Sequence, residues 1–113
     1  MSVYEQLLAA RSSKGAGYLV LVDPDRWELD EVEIFIKKIN NSGADGIMVG
    51  SSLIIGEGAR HKMKRIKEIA TLPVILHPGN VNQLSPYVDA VFFLSVISGR
   101  NPQFLIGDQV QAA

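Results

Sequence analysis

The sequence contains no cysteine, which excludes both a disulfide framework and a metal site built from thiolates. The formal net charge is only −1, so the charge balance does not call for nucleic acid as a partner. No apolar run is long enough to span a membrane, and the first residues lack the basic start and long apolar core of a signal peptide. We therefore expect a cytoplasmic protein without a transmembrane segment.

The sequence is 47% hydrophobic and 20% charged, as in ordinary globular domains, and its 113 residues suffice for one domain. Short apolar runs bounded by glycine or proline alternate with stretches of helical periodicity. The runs are typical of strands buried on both faces, which belong to parallel sheets. The apolar runs predict strands over 18–22, 46–50, 72–76 and 90–94. The stretches of helical periodicity predict helices over 3–12, 30–40, around 59–70 and from 102 onward.

Three helix starts carry capping signals. Ser2 with Glu5 and Asp30 with Glu33 have the spacing of capping boxes, and Asn101 before Pro102 suits an N-cap followed by the first helical position. The segment between the third and fourth strands is too short for a normal crossover helix. The sequence therefore predicts an α/β fold of parallel strand–helix units with an irregular third crossover.

The third helix carries a cluster of basic residues beside its apolar stripe. Such a cluster is usually a solvated helix face, although a role at phosphate or at a membrane surface stays open. The cluster consists of Arg60, Lys62, Lys64, Arg65 and Lys67.

Polar residues follow every predicted strand. Because the carboxyl ends of parallel strands meet at one edge of a sheet, these residues are expected to converge there. Their carboxylate and hydroxyl oxygens suit a hard cation such as Mg²⁺ with substrate phosphates. The set comprises Asp23, Asp25, Ser51, Ser52, His77, Asn80, Ser95, Arg100 and Asn101.

Several of these residues also have an ordinary structural explanation. Asp23 and Asp25 flank a proline, and Asp-Pro-Asp is good turn chemistry. His77 precedes Pro-Gly, where a lone histidine is more often a loop residue bonded to backbone than a metal ligand or proton carrier. Ser51 and Ser52 equally suit capping of the loop that follows them. The residues alone leave these alternatives open.

Four ordered blocks together resemble the geranylgeranylglyceryl phosphate synthase family, which includes the bacterial PcrB-like enzymes. The blocks are Leu-Val-Leu-Val-Asp-Pro-Asp-Arg (19–26), Gly-Ala-Asp-Gly-Ile-Met-Val-Gly-Ser-Ser (43–52), Leu-Pro-Val-Ile-Leu-His-Pro-Gly-Asn (72–80) and Asp-Ala-Val-Phe-Phe-Leu-Ser-Val-Ile-Ser-Gly-Arg-Asn-Pro (89–102). The resemblance implies a TIM (β/α)₈ barrel with an irregular third crossover. It also implies a transferase that joins a prenyl diphosphate, such as geranylgeranyl diphosphate, to sn-glycerol 1-phosphate with Mg²⁺ in ether-lipid synthesis.

The resemblance implies roles for particular residues. Asp23 would be the acidic Mg²⁺ ligand and Ser52 its partner, while Phe92 and Leu94 would wall the prenyl channel. We assign substrate contacts at the same edge to Asp25, Arg26, His77, Asn80, Arg100 and Asn101.

Three positions depart from the family pattern. Arg26 stands where the family usually has lysine, Ser51 where it has glycine, and His77 where it has an apolar residue. These changes leave both proposed metal ligands in place.

The resemblance extends over only the first four of eight strands, since a barrel of this type needs about 250 residues. We therefore expect residues 1–113 to form a single (βα)₄ half-barrel-like domain, truncated at its C-terminus, with little activity alone. Such a domain would need a homo-oligomeric partner or its missing C-terminal half. A half-barrel dimer and a flavodoxin-like sheet are two ways to close it. The alternative function is a non-catalytic half-barrel that binds phosphate or diphosphate, or that only self-associates.

Overall fold

The computed structural model describes residues 1–50, 57–79 and 84–113. Within them a parallel sheet runs in the order β1-β2-β3-β4, with strands β1 (Leu19–Val22), β2 (Gly46–Val49), β3 (Val74–Leu76) and β4 (Ala90–Val91). The helices are α1 (Val3–Lys14), α2 (Leu29–Asn40), α3 (Glu57–Ile69) and α4 (Asp108–Ala112), and a π-helical turn at Gln103–Gly107 leads into α4. In the described part of the chain, no helix is both long and apolar enough to cross a bilayer.

The sequential strand order confirms the predicted α/β fold of parallel units and is the order of half a barrel. A flavodoxin-like sheet would instead place β1 between two other strands. The expectation that the chain could close as a flavodoxin-like sheet was therefore wrong. The described residues between β3 and β4, which are 77–79 and 84–89, contain no helix. Residues 80–83 of this connection lie outside the described residues, so the irregular third crossover stays a prediction.

The hydrophobic core lies on one face of the sheet, beneath α2 and α3. Alternate strand residues enter it because successive side chains point to opposite faces. The core consists mainly of Val22, Ile47, Val49, Val74 and Leu76 from the strands and Val32, Ile36, Ile39, Met63 and Ile66 from the helices. On the other face, Leu21 remains 55% exposed, although Ile75, two strands away, is only 2% exposed. The open face of the sheet corresponds to the interior of a barrel.

The capping predictions had different outcomes. Ser2 and Glu5 form the expected capping box, and α1 ends at Lys14, two residues beyond the predicted end, with Gly15 at its C-cap at a φ of +87°. The box predicted for Asp30 and Glu33 was wrong, because α2 begins two residues earlier with Glu28 at its N-cap. Strand β4 was also overpredicted, since only two of the five expected residues pair with β3.

The basic face of α3 is not simply solvated. Lys62 Nζ donates to the carbonyl of Pro24 at 3.1 Å, and Arg65 Nε pairs with Glu33 of α2 at 2.5 Å. Lys67 Nζ pairs with Asp89, which precedes β4. Three of the five basic residues therefore tie α3 to three neighbouring segments, contacts that a local sequence pattern does not reveal.

Candidate functional site

The acidic turn after β1 is held together by the Asp23 side chain. Asp23 Oδ1 accepts the backbone N–H of Asp25 at 2.9 Å, which caps a single 3₁₀ turn over Pro24–Arg26. The backbone N–H of Arg26 donates to the Asp23 carbonyl at 3.2 Å and closes the turn. The Asp23 carboxylate is thus part of the turn and lies directly at the carboxyl end of a strand, with 26% of the side chain exposed.

Hydrogen bonds extend the sheet by one residue beyond the ends of the strands. They place the candidate site residues after these strands in a single row. Gly50 N–H donates to the Val22 carbonyl at 3.2 Å, and His77 N–H donates to the Val49 carbonyl at 2.8 Å. Asp23, Gly50 and His77 therefore follow each other across β1, β2 and β3. Neighbouring strands lie about 4.8 Å apart, so Asp23 and His77 flank a gap of roughly 10 Å between their backbones.

Gly50 allows the ends of β2 and β3 to approach closely. A Cβ atom at this position would lie 2.3 Å from the carbonyl oxygen of His77, which real structures do not tolerate. Glycine is required here by this close approach, not by an unusual φ. The two serines that follow Gly50 begin the segment outside the described residues, so the prediction that Ser52 partners Asp23 falls there.

His77 contacts an aromatic ring at the next position of the row. Its imidazole meets Phe92 edge-on, with ring centroids 5.9 Å apart, and the His77 side chain is exposed. Phe92 N–H extends the ladder by donating to the Leu76 carbonyl at 3.0 Å. The histidine is therefore accessible at the same edge as Asp23, and its role in substrate binding stays a prediction.

The two charged neighbours of Asp23 in the turn, Arg26 and Asp25, contact it in different ways. Arg26 Nε lies 3.9 Å from Asp23 Oδ2, and the arginine side chain is 79% exposed. Exposed ion pairs at this distance contribute little to stability, so the guanidinium remains able to turn toward a ligand. Asp25 is exposed, and the contact described above comes from its backbone N–H.

The other predicted substrate contacts have varied positions. Asn101 Oδ1 accepts the backbone N–H of Gln103 at 3.0 Å, so its carboxamide caps the final helical segment, and Arg100 is exposed just before it. Asn80 lies outside the described residues. The substrate roles of all three residues stay predictions.

An apolar groove of about 170 Å³ lies beside the row, between the segment after β4 and the final helical segment. Val96 N–H donates to the Phe104 carbonyl at 2.9 Å and Ser95 Oγ to the Leu105 carbonyl at 2.5 Å, which hold its two walls together. The lining includes Val91, Phe92, Phe93, Leu94, Val96 and Phe104. Phe92 and Leu94, expected to wall a prenyl channel, are both in this set.

Asp23 does not stand within a ready-made metal cage. In residues 1–50, 57–79 and 84–113, no three histidine or acidic side chains cluster closely enough to hold a metal ion. Mg²⁺ is usually bound by one or two carboxylates together with substrate phosphates and water, and that mode needs no such cluster. Asp23 supplies one carboxylate of this kind at the edge of the sheet.

Lys62 was missed as part of the site. Its position three residues after Ala59 and four before Ile66 places it on the buried side of α3, and both of these neighbours are buried. That spacing was the available signal, but its contact with Pro24 joins residues 38 apart in the chain. The basic cluster was interpreted by its charge alone, and the contact of Lys62 with the turn was not predicted.

The electrostatics of α3 follow from its ion pairs. The Arg65 guanidinium lowers the pKa of Glu33 by hydrogen bonding to its carboxylate. In return the hydrogen bonds to Glu33 and Glu68 raise the pKa of Arg65. Both groups stay charged at neutral pH and fix α3 against α2 beside the acidic turn.

The model of the PcrB family matches residues 9–113. The chain belongs to the PcrB family. Two curated relatives are named geranylgeranylglyceryl phosphate synthase: one from Flavobacterium johnsoniae is 38% identical over 99% of this chain, and one from Caldivirga maquilingensis is 40% identical over 100% of it. These alignments cover 46% and 43% of the relatives, so the chain spans about half the length of the curated relatives it matches.

Two solved structures have the same fold over the whole chain. The (S)-3-O-geranylgeranylglyceryl phosphate synthase of Thermoplasma acidophilum, solved in complex with its substrate sn-glycerol-1-phosphate, matches with a TM-score of 0.88 and 32% identity. The wild-type enzyme of Thermoplasma volcanium matches with a TM-score of 0.86 and 33% identity. This chain covers 46% and 45% of those chains, as expected of half a barrel of the PcrB family.

Proposed function

We propose that these residues form the metal- and diphosphate-binding half of a Mg²⁺-dependent prenyltransferase. The reaction would join geranylgeranyl diphosphate, or a similar prenyl diphosphate, to sn-glycerol 1-phosphate in the synthesis of ether phospholipids. The observation that carries the proposal is the place of Asp23, a partly exposed carboxylate at the carboxyl end of β1 in a chain of the PcrB family. Ligand sites of parallel barrels occur at that end.

Asp23 has the free coordination capacity that the proposal needs. One oxygen, Oδ1, accepts the N–H of Asp25, while Oδ2 has, among the described residues, only the guanidinium of Arg26 near it, at 3.9 Å. When bound, Mg²⁺ would offset the charge that develops on the departing diphosphate. Asp23 would hold the ion, with Ser52 as the second protein ligand.

Cationic and polar residues at the same edge would hold the charged ends of the substrates. Arg26 is exposed beside Asp23, and His77 is exposed two strands away. Arg26, Arg100 and His77 would contact phosphate oxygens, with Asp25, Asn80 and Asn101 as further polar contacts. The apolar groove lined by Phe92 and Leu94 would take the prenyl chain and exclude water from it.

The matched half of the relatives is not expected to perform the whole reaction. Because the chain aligns with 43–46% of those enzymes, we propose that residues equivalent to their remaining half complete the glycerol phosphate site. Turnover by these 113 residues alone should be weak or absent. Binding of the prenyl diphosphate is therefore the sharper test.

A second candidate function is a non-catalytic half-barrel that binds diphosphate or self-associates. The observation that favours it is the exposed apolar side chain of Leu21, which is 55% exposed on the face of the sheet opposite the core. Self-association would cover such side chains whether or not any chemistry follows. The two functions differ in whether Mg²⁺ strengthens ligand binding and whether product appears.

Titration calorimetry with the thiodiphosphate analogue of geranylgeranyl diphosphate, with and without Mg²⁺, tests the proposal. We expect binding that depends on Mg²⁺ and is lost in Asp23→Asn. Asp30→Asn removes a similar charge from the first turn of α2 and should bind as the parent does. Equal affinity with and without Mg²⁺ would favour the non-catalytic alternative. Labelled substrates incubated with the same samples report any turnover.

A further inference from the structure

One peptide unit connects Lys62 of α3 to the carboxylate of Asp23. Lys62 Nζ donates to the carbonyl oxygen of Pro24 at 3.1 Å. The N–H on the other side of that peptide, from Asp25, donates to Asp23 Oδ1 at 2.9 Å. A trans peptide is planar and its C=O and N–H point in opposite directions, so fixing the carbonyl also fixes the N–H. The ammonium therefore governs the donor that orients the carboxylate.

The Pro24–Asp25 peptide is held in place on its buried side. Pro24 is fully buried, and its ring fixes φ at the first position of the 3₁₀ turn. Lys62 is itself partly buried and flanked along the helix by Ala59 and Ile66, which pack into the interior. The helix thus reaches the turn from the core side, while Asp23 continues the row at the edge of the sheet.

We propose that Lys62 is a positioning residue for the metal-binding carboxylate. By holding the Pro24–Asp25 peptide it keeps Asp23 Oδ1 occupied and leaves Asp23 Oδ2 available for the metal and its diphosphate. A charged donor on the carbonyl also polarises the peptide and strengthens the N–H as a donor. The inference rests on the proposed function, since it assigns Lys62 a role in that same site.

A purely structural role for Lys62 predicts a different result. If the ammonium only attached α3 to the turn, its loss would lower stability without changing metal-dependent binding by the folded protein. Lys62→Met removes the charge and keeps most of the aliphatic stem. Lys62→Arg keeps a charged donor, and Lys62→Gln keeps a neutral one in case the methionine variant does not fold. Lys64→Met removes the same charge from an exposed position on the same helix.

The experiment measures the Mg²⁺-dependent affinity for the thiodiphosphate analogue of geranylgeranyl diphosphate and the amide proton shift of Asp25 in the free protein. In Lys62→Met we expect about tenfold weaker binding and an upfield move of the Asp25 amide proton. Lys62→Arg should recover most of the affinity, Lys62→Gln should fall between the two, and Lys64→Met should match the parent. Unchanged affinity in folded Lys62→Met, or Lys62→Arg as weak as Lys62→Met, would overturn the proposal.

The two measurements separate this inference from the proposed function. If the parent shows no Mg²⁺-dependent binding, the proposed function fails, and the Asp25 amide shift still decides whether Lys62 controls the turn. An unmoved Asp25 amide in both Lys62→Met and Lys62→Gln would disprove the connection through the peptide. A shifted Asp25 amide with unchanged binding in Lys62→Met would mean that Lys62 supports the turn but does not position the carboxylate for the metal. That result would overturn the proposal.

Discussion

Asp45 and Asp89 make the same pair of contacts at the amino-terminal edge of the sheet, two strands apart. Each directs one carboxylate oxygen to a lysine of an earlier helix and the other to a backbone N–H at or just before the start of a strand. The contacts are Lys14 at 2.5 Å and Tyr18 at 2.8 Å for Asp45, and Lys67 at 2.5 Å and Val74 at 2.8 Å for Asp89. Both lie at the edge opposite Asp23, where they join helices to strands and leave the proposed site untouched.

These two carboxylates should make the stability of the fold decrease at acidic pH. The Lys14 and Tyr18 hydrogen bonds lower the pKa of Asp45. For Asp89, burial acts to raise the pKa, but the hydrogen bonds from Lys67 and Val74 outweigh it and the pKa is also lowered. A group with a lowered pKa stabilises the fold above its unfolded pKa of 3.8, and this contribution is lost as the pH falls through the folded pKa.

We therefore expect the parent to lose stability as the pH falls below about 4, and Asp45→Asn/Asp89→Asn to lose less over the same range. Urea denaturation at a series of pH values gives both curves. The double variant should also be less stable than the parent at pH 7. Parallel curves for the two proteins would mean that these carboxylates do not contribute to the acid dependence.

Alanine at two glycines should have opposite effects. Gly50→Ala brings a Cβ to 2.3 Å from the His77 carbonyl oxygen, so the ends of β2 and β3 must separate, at a cost of about 1–3 kcal/mol. Gly58 lies in α3 with nothing within 4 Å of the added Cβ, and Gly58→Ala should stabilise the helix by up to about 1 kcal/mol. Thermal and urea unfolding measure both changes. Equal effects from the two substitutions would contradict the close approach at Gly50.

The start of α2 illustrates which features the sequence could predict. The predicted capping box paired Asp30 with Glu33, because aspartate is a preferred N-cap residue. In the structure Glu28 is the N-cap of α2 and its N–H donates to Glu31 Oε2 at 2.9 Å, while Glu33 pairs with Arg65, 32 residues further along the chain. The box of α1 was predictable because Ser2 and Glu5 have no such distant competitor in the described structure.

The candidate site shows the same division between local and distant information. Asp23 at the end of a buried strand could be predicted, since an apolar run followed by a polar turn is a local pattern. The contact from Lys62 and the clash that requires Gly50 could not, because both depend on how segments pack. Only two residues of β4 pair with β3, which the apolar run over 90–94 did not reveal.

Asn40 connects the ends of α2 and α3 and should matter more than its neighbour Asn41. Its Nδ2 donates to the Ile69 carbonyl at 2.9 Å, and its Oδ1 accepts the Thr71 N–H at 3.0 Å. Asn40→Ala should cost about 1 kcal/mol or more by removing both bonds. Asn41→Ala removes a bond to Lys37 within one helix end and should cost less. Urea unfolding compares the two variants, and a larger loss in Asn41→Ala would refute this ranking.

The open face of the sheet should make the isolated chain self-associate. Leu21 alternates with Val20 and Val22, so its side chain lies on the face opposite α2 and α3, where it is 55% exposed. Fully burying a leucine is worth about 1.5–3 kcal/mol, so covering Leu21 against a second copy favours association. Size-exclusion chromatography with light scattering should therefore give a mass greater than that of one chain.

A charged residue on this face should dissociate the assembly, and the chain offers a close control. Leu21→Asp places a carboxylate where two apolar faces would meet, so the measured mass should fall toward that of a single chain. Ile34 in α2 is 57% exposed, slightly more than Leu21, but it belongs to a helix on the other side of the sheet. Ile34→Asp should leave the mass unchanged. If both substitutions lower the mass equally, general surface hydrophobicity drives association; if neither does, the sheet face is not the contact.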